Sequence, residues 1–120
     1  DLSRVVFNKK FKFIYNPLFQ LPYNPVDFAE NKFWLELVQL NKENKLDRRF
    51  TGTTLFTEHR PMFELFDLEK DPGEFVNLAG KEEFLEIEHQ MKAALQRWMI
   101  IYRDVVPLPI PVSKKQANAL

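Results

Sequence analysis

Two short runs near the beginning of the chain alternate apolar and polar residues in the manner of half-buried strands. Residues 4–7 and 11–15 flank a polar turn, so together they predict a β-hairpin. In the second run Phe11, Phe13 and Tyr15 recur at period two and therefore share one face. A two-stranded hairpin is marginally stable in water, so we expect further strands or a helix to cover that face.

A third apolar run, residues 62–68, places apolar side chains on both faces of a strand. Burial of both faces is typical of a strand in the centre of its sheet, which is what we expect for this run. The tripeptide Asp71-Pro72-Gly73 follows and has the composition of a tight turn, because proline presets φ and glycine tolerates a positive φ.

The segments between these strands are less regular. Residues 16–30 contain three prolines, each of which removes a backbone donor and favours extended geometry in the residue before it, so this segment is expected to be an extended connection. Residues 47–60 are rich in hydroxyl groups and are expected to be irregular. Within them, Leu55-Phe56 either forms a short strand or fills the core.

Helical periodicity occurs twice. Asn31 is a candidate N-cap for a short helix that ends between Leu40 and Lys45. A long helix is predicted over residues 81–102, where one wide apolar stripe suits packing on a sheet. The residues of that stripe recur every three or four positions: Phe84, Ile87, Met91, Ala94, Leu95, Trp98 and Ile101. Beyond it, residues 107–111 alternate with proline and are expected to be extended, and residues 112–120 form a polar tail.

Composition limits the classes of function. The chain has 120 residues, which is one domain at most, and its 45% hydrophobic content with 12 Phe argues against disorder. Seventeen basic residues balance 17 acidic ones, so we expect no nucleic-acid or membrane partner, although a neutral surface eases self-association or docking. The lack of cysteine excludes a disulfide scaffold, a thiolate metal site and a Cys nucleophile.

The strongest candidate contacts for a substrate are His59 and Arg60, an adjacent cationic pair in a loop just ahead of residues 62–68. Such a pair suits a sulfate or a carboxylate in a substrate or partner. The alternative is that Arg60 pairs with a nearby acid such as Glu58 or Glu64.

Other candidate sites have simpler explanations. Glu69, Asp71 and Glu74 do not have EF-hand spacing and are better explained as turn residues. Four glutamates at positions 82, 83, 86 and 88 are expected to be solvated at the N-terminal end of a helix, where the helix dipole explains them better than glycosidase chemistry does. His89 is expected to be solvated, and most aromatic residues to be core. An exposed platform of Phe19, Tyr23 and Trp34 that stacks on sugars is the alternative. We predict no catalytic residue and no metal site in this chain.

One stretch carries a family resemblance. Residues 64–79, ELFDLEKDPGEFVNLA, resemble a consensus near the C-terminus of sulfatases, roughly E-L-Y-D-L-x-x-D-P-x-E-x-x-N-L-A. The hairpin at residues 8–16 resembles the family's R-x-x-x-Y-K-Y-I-x-N strand, and residues 95–99 resemble the end of its closing helix, near a Trp. Residues 17–25 and Phe33-Trp34 are similar to an insertion in the heparan N-sulfatase (N-sulfoglucosamine sulfohydrolase) branch. The resemblance covers about residues 4–111.

The resemblance implies an α+β fold, with an antiparallel sheet of about four strands, a long C-terminal helix across it and a short helix in the insertion. It implies that residues 1–111 are the alkaline-phosphatase-like C-terminal subdomain of a larger enzyme. The parent would be secreted, periplasmic or lysosomal and would act on a sulfated glycan or aryl sulfate, and its N-terminal catalytic domain would be this chain's partner.

The reactive centre of such an enzyme has no counterpart in this sequence. Sulfatases use a formylglycine made within C/S-x-P-S/A-R and a bound calcium ion, and both are expected in the catalytic domain of the parent. This chain has no Cys, and neither Ser3 nor Ser113 lies in that context. The leading hypothesis is therefore a sulfatase fragment that completes the fold and borders the substrate cleft, possessing no catalysis of its own. The alternatives are a stand-alone glycan-binding or protein-interaction module and, last, an enzyme that uses carboxylates.

Overall fold

A three-stranded antiparallel sheet is the centre of the fold in a computed structural model that describes residues 2–23, 27–51 and 53–106. Its strands are β1 (Arg4–Phe7), β2 (Phe11–Tyr15) and β3 (Phe63–Asp67), in the order β1-β2-β3. The predicted hairpin is confirmed, since β1 pairs with β2 in the register Val6 with Phe13. In the described part of the chain the sheet has three strands, not the expected four.

The expectation that β3 is central was wrong, because β2 is the central strand. The outer edge of β3 is nevertheless closed. The Asn77 carboxamide accepts from the Leu65 N–H at 2.9 Å and donates to the Phe63 carbonyl at 3.2 Å. The Leu78 N–H then donates to the Leu65 carbonyl at 2.8 Å. A side chain and one peptide group thus satisfy the backbone groups of Phe63 and Leu65 that a neighbouring strand would otherwise pair with.

The hydrophobic core lies on one face of the sheet, beneath the long helix. After a 3₁₀ turn at Glu82–Phe84, helix α3 runs over Leu85–Ile101 and contacts β1 and β2. Phe13, Leu65, Met91 and Leu95 form the buried cluster, with Phe13 1% and Leu65 0% exposed. The predicted helix over residues 81–102 is confirmed, and its observed ends lie within about one turn of the predicted ones.

Two expectations for α3 were only partly right. The apolar stripe is not covered along its whole length, since Trp98 is 47% and Ile101 60% exposed. Glu88 is not solvated, because it is only 4% exposed and accepts from the Gly80 N–H and from Lys92 Nζ, each at 2.7 Å. Glu88 therefore fastens the loop before α3 to the helix.

The insertion between β2 and β3 contains two helices, α1 (Lys32–Lys42) and α2 (Arg48–Thr51). Asn31 caps α1 as predicted, with its side chain accepting from the Phe33 N–H at 2.9 Å. Trp34 of α1 stacks on Phe56 with ring centroids 5.4 Å apart, so Phe56 fills a small aromatic core and forms no strand.

Two loop expectations for the insertion were wrong. Residues 17–20 and 27–30 form turns where an extended connection was expected. The first turn begins at Pro17, and proline suits a turn as well as extended chain. Residues 24–26 lie outside the described part. Residues 47–60 are not wholly irregular, because Asp47 caps α2 by accepting from the Arg49 N–H at 2.9 Å.

The predicted turn at Asp71-Pro72-Gly73 is confirmed and anchors the insertion. The Asp71 carboxylate accepts from the Val76 N–H at 2.8 Å, which closes the loop. The ring of Phe75 folds back over Gly73, where a Cβ would clash with the ring. The same ring packs edge-on against Phe50 of α2 at 5.7 Å. The proline-alternating segment and the polar tail, residues 107–120, lie outside the described residues. In the described part, no helix has the length and apolarity needed to span a bilayer.

Candidate functional site

The face of the sheet opposite α3 differs in chemistry from the core face. The strand register places Val5, Ile14 and Glu64 side by side on it, and Lys12 beside Phe66. The insertion and the loop after β3 arch over this face and leave a cleft of about 480 Å³. Sites for small ligands commonly have volumes of roughly 300–1,000 Å³, so the cleft has room for a sugar unit.

The walls of this cleft combine aromatic rings with polar groups. Tyr23, Phe50 and Phe75 supply the rings, and Thr53 and Thr54 supply hydroxyl groups from the segment after α2. Lys12, Asn16, Arg60, Glu64, Glu74 and Asn77 add charged and amide side chains. Apolar surface with a few convergent polar groups is the usual composition of a ligand site.

Lys12 and Glu74 form an ion pair across the cleft, with Nζ 2.7 Å from Oε1. Both side chains are about 30% exposed or less. Glu74 adopts a left-handed backbone conformation, with φ of 57°, which costs about 1 kcal/mol for a non-glycine residue. The bond to Lys12 offsets this strain and holds the carboxylate over the sheet. The pair also cancels the positive charge that Lys12 would otherwise present to an anion.

Glu64 is the acid with the most perturbed environment in the cleft. Burial raises the pKa of Glu64, and the hydrogen bond from Asn16 and the positive charge of Arg60 oppose that rise. Asn16 is itself 2% exposed and is held by three groups. Its Nδ2 donates to Glu64 Oε2 at 2.7 Å and to the Pro61 carbonyl at 2.9 Å, and its Oδ1 accepts from Ser3 at 2.7 Å.

The structure separates the two residues that the sequence singled out as substrate contacts. Arg60 is 9% exposed and lines the cleft. Its backbone N–H donates to the Phe19 carbonyl at 2.9 Å and its Nη2 to the Leu18 carbonyl at 3.3 Å. His59 is exposed, with Nδ1 3.1 Å from the Gln20 carbonyl, and is not among the residues lining the cleft. The role of both as substrate contacts stays a prediction.

The three acids predicted to be turn residues lie in turns. Glu69 is in the turn after β3, where its N–H and that of Lys70 donate to Asp67 at 3.1 Å. Asp71 closes the turn described above, and its carbonyl accepts from the Glu74 N–H at 3.0 Å. In the described ranges, no three His, Asp or Glu side chains converge in a way that would hold a metal ion. The described residues therefore include no group of side chains that fits the calcium ion of a sulfatase.

The proposed sugar-stacking platform consists of Phe19, Tyr23 and Trp34. Phe19 is half-buried and does not line the cleft, and the ring of Trp34 is largely covered by other rings. Phe56 covers one face of Trp34, while Tyr23 and Phe28 pack against Trp34 edge-on at 6.2 and 5.8 Å. The aromatic group is therefore mainly a satellite core that holds the insertion together. Only the part of Tyr23 that lines the cleft remains a candidate for sugar contact.

Sequence reasoning missed four residues of the cleft: Lys12, Asn16, Glu64 and Asn77. All four lie within the two stretches that resemble sulfatase motifs. The sequence signal that could have found them is the presence of Asn16 and Asn77 in these two stretches. Each asparagine bonds to residues far away in sequence, so the sequence alone does not show where in the fold its side chain lies.

Comparison with known proteins identifies a relative. No protein-family model matches the chain. The chain is 35% identical over 112 residues to an ulvan-active sulfatase of Formosa agariphila. The chain is thus similar to part of that sulfatase. The match spans 91% of this chain but only 18% of that protein, so most of the relative's length has no counterpart in this chain.

The match bears on the resemblance inferred from the sequence. It supports the assignment to sulfatases over a free-standing glycan-binding or interaction module. It gives no support to the heparan N-sulfatase branch, since the relative is described as acting on ulvan. The α+β fold, with an antiparallel sheet and a C-terminal helix, is consistent with the sulfatase assignment.

Proposed function

We propose that this chain is the C-terminal subdomain of a sulfatase and that it completes the fold of an enzyme whose catalytic domain lies elsewhere in the same polypeptide. The observation that carries the proposal is the 35% identity over 112 residues to a sulfatase, which spans nearly the whole of this chain. The parent would hydrolyse a sulfate ester of a polysaccharide, using the formylglycine and calcium of its catalytic domain.

The cleft opposite α3 is the part of this chain that we assign to the glycan. Its volume, its aromatic walls and its mixture of amide, hydroxyl and charged groups suit the hydroxyl-rich, uncharged parts of a saccharide. Because Glu74 already neutralises Lys12, and because Arg60 lies close enough to Glu64 to influence its pKa, the cleft does not present a bare positive charge. We therefore assign it to the leaving group and not to the sulfate itself.

The first test compares the isolated chain with the longer polypeptide that its full reading frame encodes. The isolated chain should show no turnover of an aryl sulfate, and calcium-dependent turnover by it would overturn the proposal. The reading frame upstream of Asp1 should encode a C/S-x-P-S/A-R motif. The longer polypeptide should release sulfate from a sulfated polysaccharide such as ulvan. Release from an N-sulfated glucosamine instead would point to the heparan N-sulfatase branch.

The second test asks whether the cleft contacts the glycan in that longer polypeptide. Lys12→Met removes a cleft charge and keeps an unbranched side chain only one atom shorter, and Lys10→Met makes the same change on an exposed lysine outside the cleft. We expect Lys12→Met to raise KM for the polysaccharide about tenfold, which corresponds to about 1.4 kcal/mol, with little change for a small aryl sulfate. Equal effects of the two variants would remove the cleft from the proposal.

A further inference from the structure

The hydrogen bond between Asn16 and Glu64 has a fixed direction. Asn16 Nδ2 donates to the Pro61 carbonyl at 2.9 Å and to Glu64 Oε2 at 2.7 Å. A carbonyl oxygen can only accept, so the nitrogen of the Asn16 carboxamide must be the atom that faces Pro61 and Glu64. The oxygen of the same carboxamide accepts from the Ser3 hydroxyl at 2.7 Å. Asn16 therefore holds the carboxyl group of Glu64 by Oε2.

The second carboxyl oxygen of Glu64 is available to a ligand. Among the described residues no hydrogen bond reaches Oε1, and this atom is not sealed from solvent. The cations of the cleft are engaged by other groups. Lys12 pairs with Glu74 at 2.7 Å, and Arg60 donates to the Leu18 carbonyl at 3.3 Å. Glu64 is half-buried and lines the cleft, so a group that enters the cleft can reach Oε1.

The charges of the cleft favour an uncharged donor at this oxygen. Two cationic and two acidic side chains line the cleft in the described part of the chain: Lys12, Arg60, Glu64 and Glu74. Their charges cancel, so the cleft attracts neither a cation nor an anion from a distance. A carboxylate oxygen still forms stronger hydrogen bonds than a neutral acceptor does. The hydroxyl group is the uncharged donor in which saccharides are rich, and it fits these conditions.

We infer that Glu64 Oε1 accepts a hydrogen bond from a hydroxyl group of the saccharide unit that occupies the cleft. This inference rests on the proposed function and names the atom that recognises the leaving group. The rings of Phe50 and Phe75 line the same cleft and offer an apolar surface to the C–H groups of a sugar ring. Glu64 is then a specificity-determining residue, because a leaving group without the hydroxyl would cover the carboxylate and give it no partner.

Glu64→Gln tests the inference by exchanging the group that faces the ligand. Because the Asn16 N–H needs an acceptor, the new carboxamide must direct its oxygen to Asn16 and its nitrogen to the cleft. A charged acceptor is thus replaced by an uncharged donor, while the bond to Asn16 stays. We expect the longer polypeptide with Glu64→Gln to bind a desulfated ulvan oligosaccharide about tenfold more weakly in isothermal titration calorimetry. Glu69→Gln, the same change on an exposed acid outside the cleft, is the matched control and should leave the affinity unchanged.

A change in the ligand tests the same hydrogen bond from the other side. O-methylation of the oligosaccharide removes its hydroxyl donors and keeps ether oxygens that can accept. Methylation should weaken binding to the unsubstituted polypeptide about tenfold and matter less to Glu64→Gln, whose N–H can donate to an ether oxygen. The bulk of the methyl groups acts on both proteins, so the difference between them reports the hydrogen bond. An equal loss of affinity in the two proteins would overturn the inference, as would a failure of the unsubstituted polypeptide to bind the unmethylated probe.

A purely structural role for Glu64 predicts another set of results. Since Glu64→Gln keeps the bond to Asn16, the unfolding midpoint of the longer polypeptide should not fall at pH 7. Weaker binding by a variant that is as stable as the unsubstituted polypeptide supports a direct contact with the saccharide. A fall in affinity together with a fall in the midpoint would assign Glu64 a structural role and overturn the inference.

The readouts separate this inference from the proposed function, because calorimetric binding does not depend on turnover. Sulfate release by the longer polypeptide, with equal affinities of Glu64→Gln and Glu69→Gln for the desulfated probe, would overturn the hydroxyl contact alone. Weaker binding by Glu64→Gln, in a polypeptide that releases no sulfate from any probe, would overturn the sulfatase activity alone.

Discussion

The two faces of the sheet differ in polarity and in burial. The face beneath α3 is dry and apolar, with Phe13 and Leu65 fully buried. The other face carries Lys12 and Glu64 among its apolar residues and borders a cleft. Burying charged groups costs free energy unless partners compensate, and here Glu74 pairs with Lys12 and Asn16 donates to Glu64. The comparison teaches that α3 and the sheet form the core of the fold, while the opposite face of the sheet borders an open cleft.

The largest expected effect lies on the α3 face. Leu65→Ala removes a side chain with 0% exposure and should lower the free energy of unfolding by about 3 kcal/mol through lost burial and a residual cavity. Ile14→Ala, on the cleft face and half-buried, should cost about 1 kcal/mol. Chemical denaturation of both variants measures the contrast. Similar losses would mean that the cleft face is packed as tightly as the core.

The next effect concerns the edge of β3. Asn77→Ala removes the acceptor for the Leu65 and Ala79 N–H groups and the donor to the Phe63 carbonyl. Leaving such groups unsatisfied costs about 2 kcal/mol. Asn77→Asp keeps the acceptor and loses the donor, so its cost should be smaller. Faster hydrogen exchange at the Leu65 amide in Asn77→Ala would locate the damage, and unchanged exchange there would contradict this account of the edge.

A smaller, pH-dependent effect is expected at Glu88 on the α3 side. Burial tends to raise the pKa of Glu88, but the bonds from Gly80 and Lys92 outweigh burial and the net pKa is lowered. A carboxyl with a lowered pKa stabilises the fold above its unfolded pKa, and that contribution is lost as pH falls through the folded pKa. Glu88→Gln should therefore cost about 1.5 kcal/mol at pH 7 and progressively less below pH 4.5. A pH-independent difference from the parent chain in urea unfolding would contradict it.

The smallest effect, with the opposite sign, is expected at Glu64 in the cleft. Burial raises the pKa of Glu64, so the folded state favours its protonated form. Stability from this group is present below the unfolded pKa and is lost as pH rises through the folded pKa. Glu64→Gln, which can still accept from Asn16, should stabilise the chain at pH 7 by less than about 1 kcal/mol and have little effect at pH 4. Destabilisation at pH 7 would show that the charged carboxylate of Glu64 stabilises the fold, as that of Glu88 does. The two faces of the sheet would then not differ in this respect.

Glu88 and Glu64 both make contacts that the sequence did not predict. Glutamates near the beginning of a helix were expected to be solvated, and Glu88 is buried because the loop at Gly80 folds over it. Glu64 was considered only as a local partner for Arg60, whereas Asn16, 48 residues away, holds it. Neither contact has a local sequence signal, so the cleft could not be assembled from the sequence.

The sequence alone determined those secondary-structure elements and turns that depend on neighbouring residues. Period-two alternation specified the β1–β2 hairpin, the Asn31 side chain began α1, and proline with glycine set the turn at residues 71–73, because each acts over a few neighbouring residues. The tertiary structure decided which strand is central, which edge Asn77 closes and which end of α3 stays exposed. Those outcomes depend on contacts between residues far apart in sequence, such as Arg4 with Asp104, and only the folded chain brings these together.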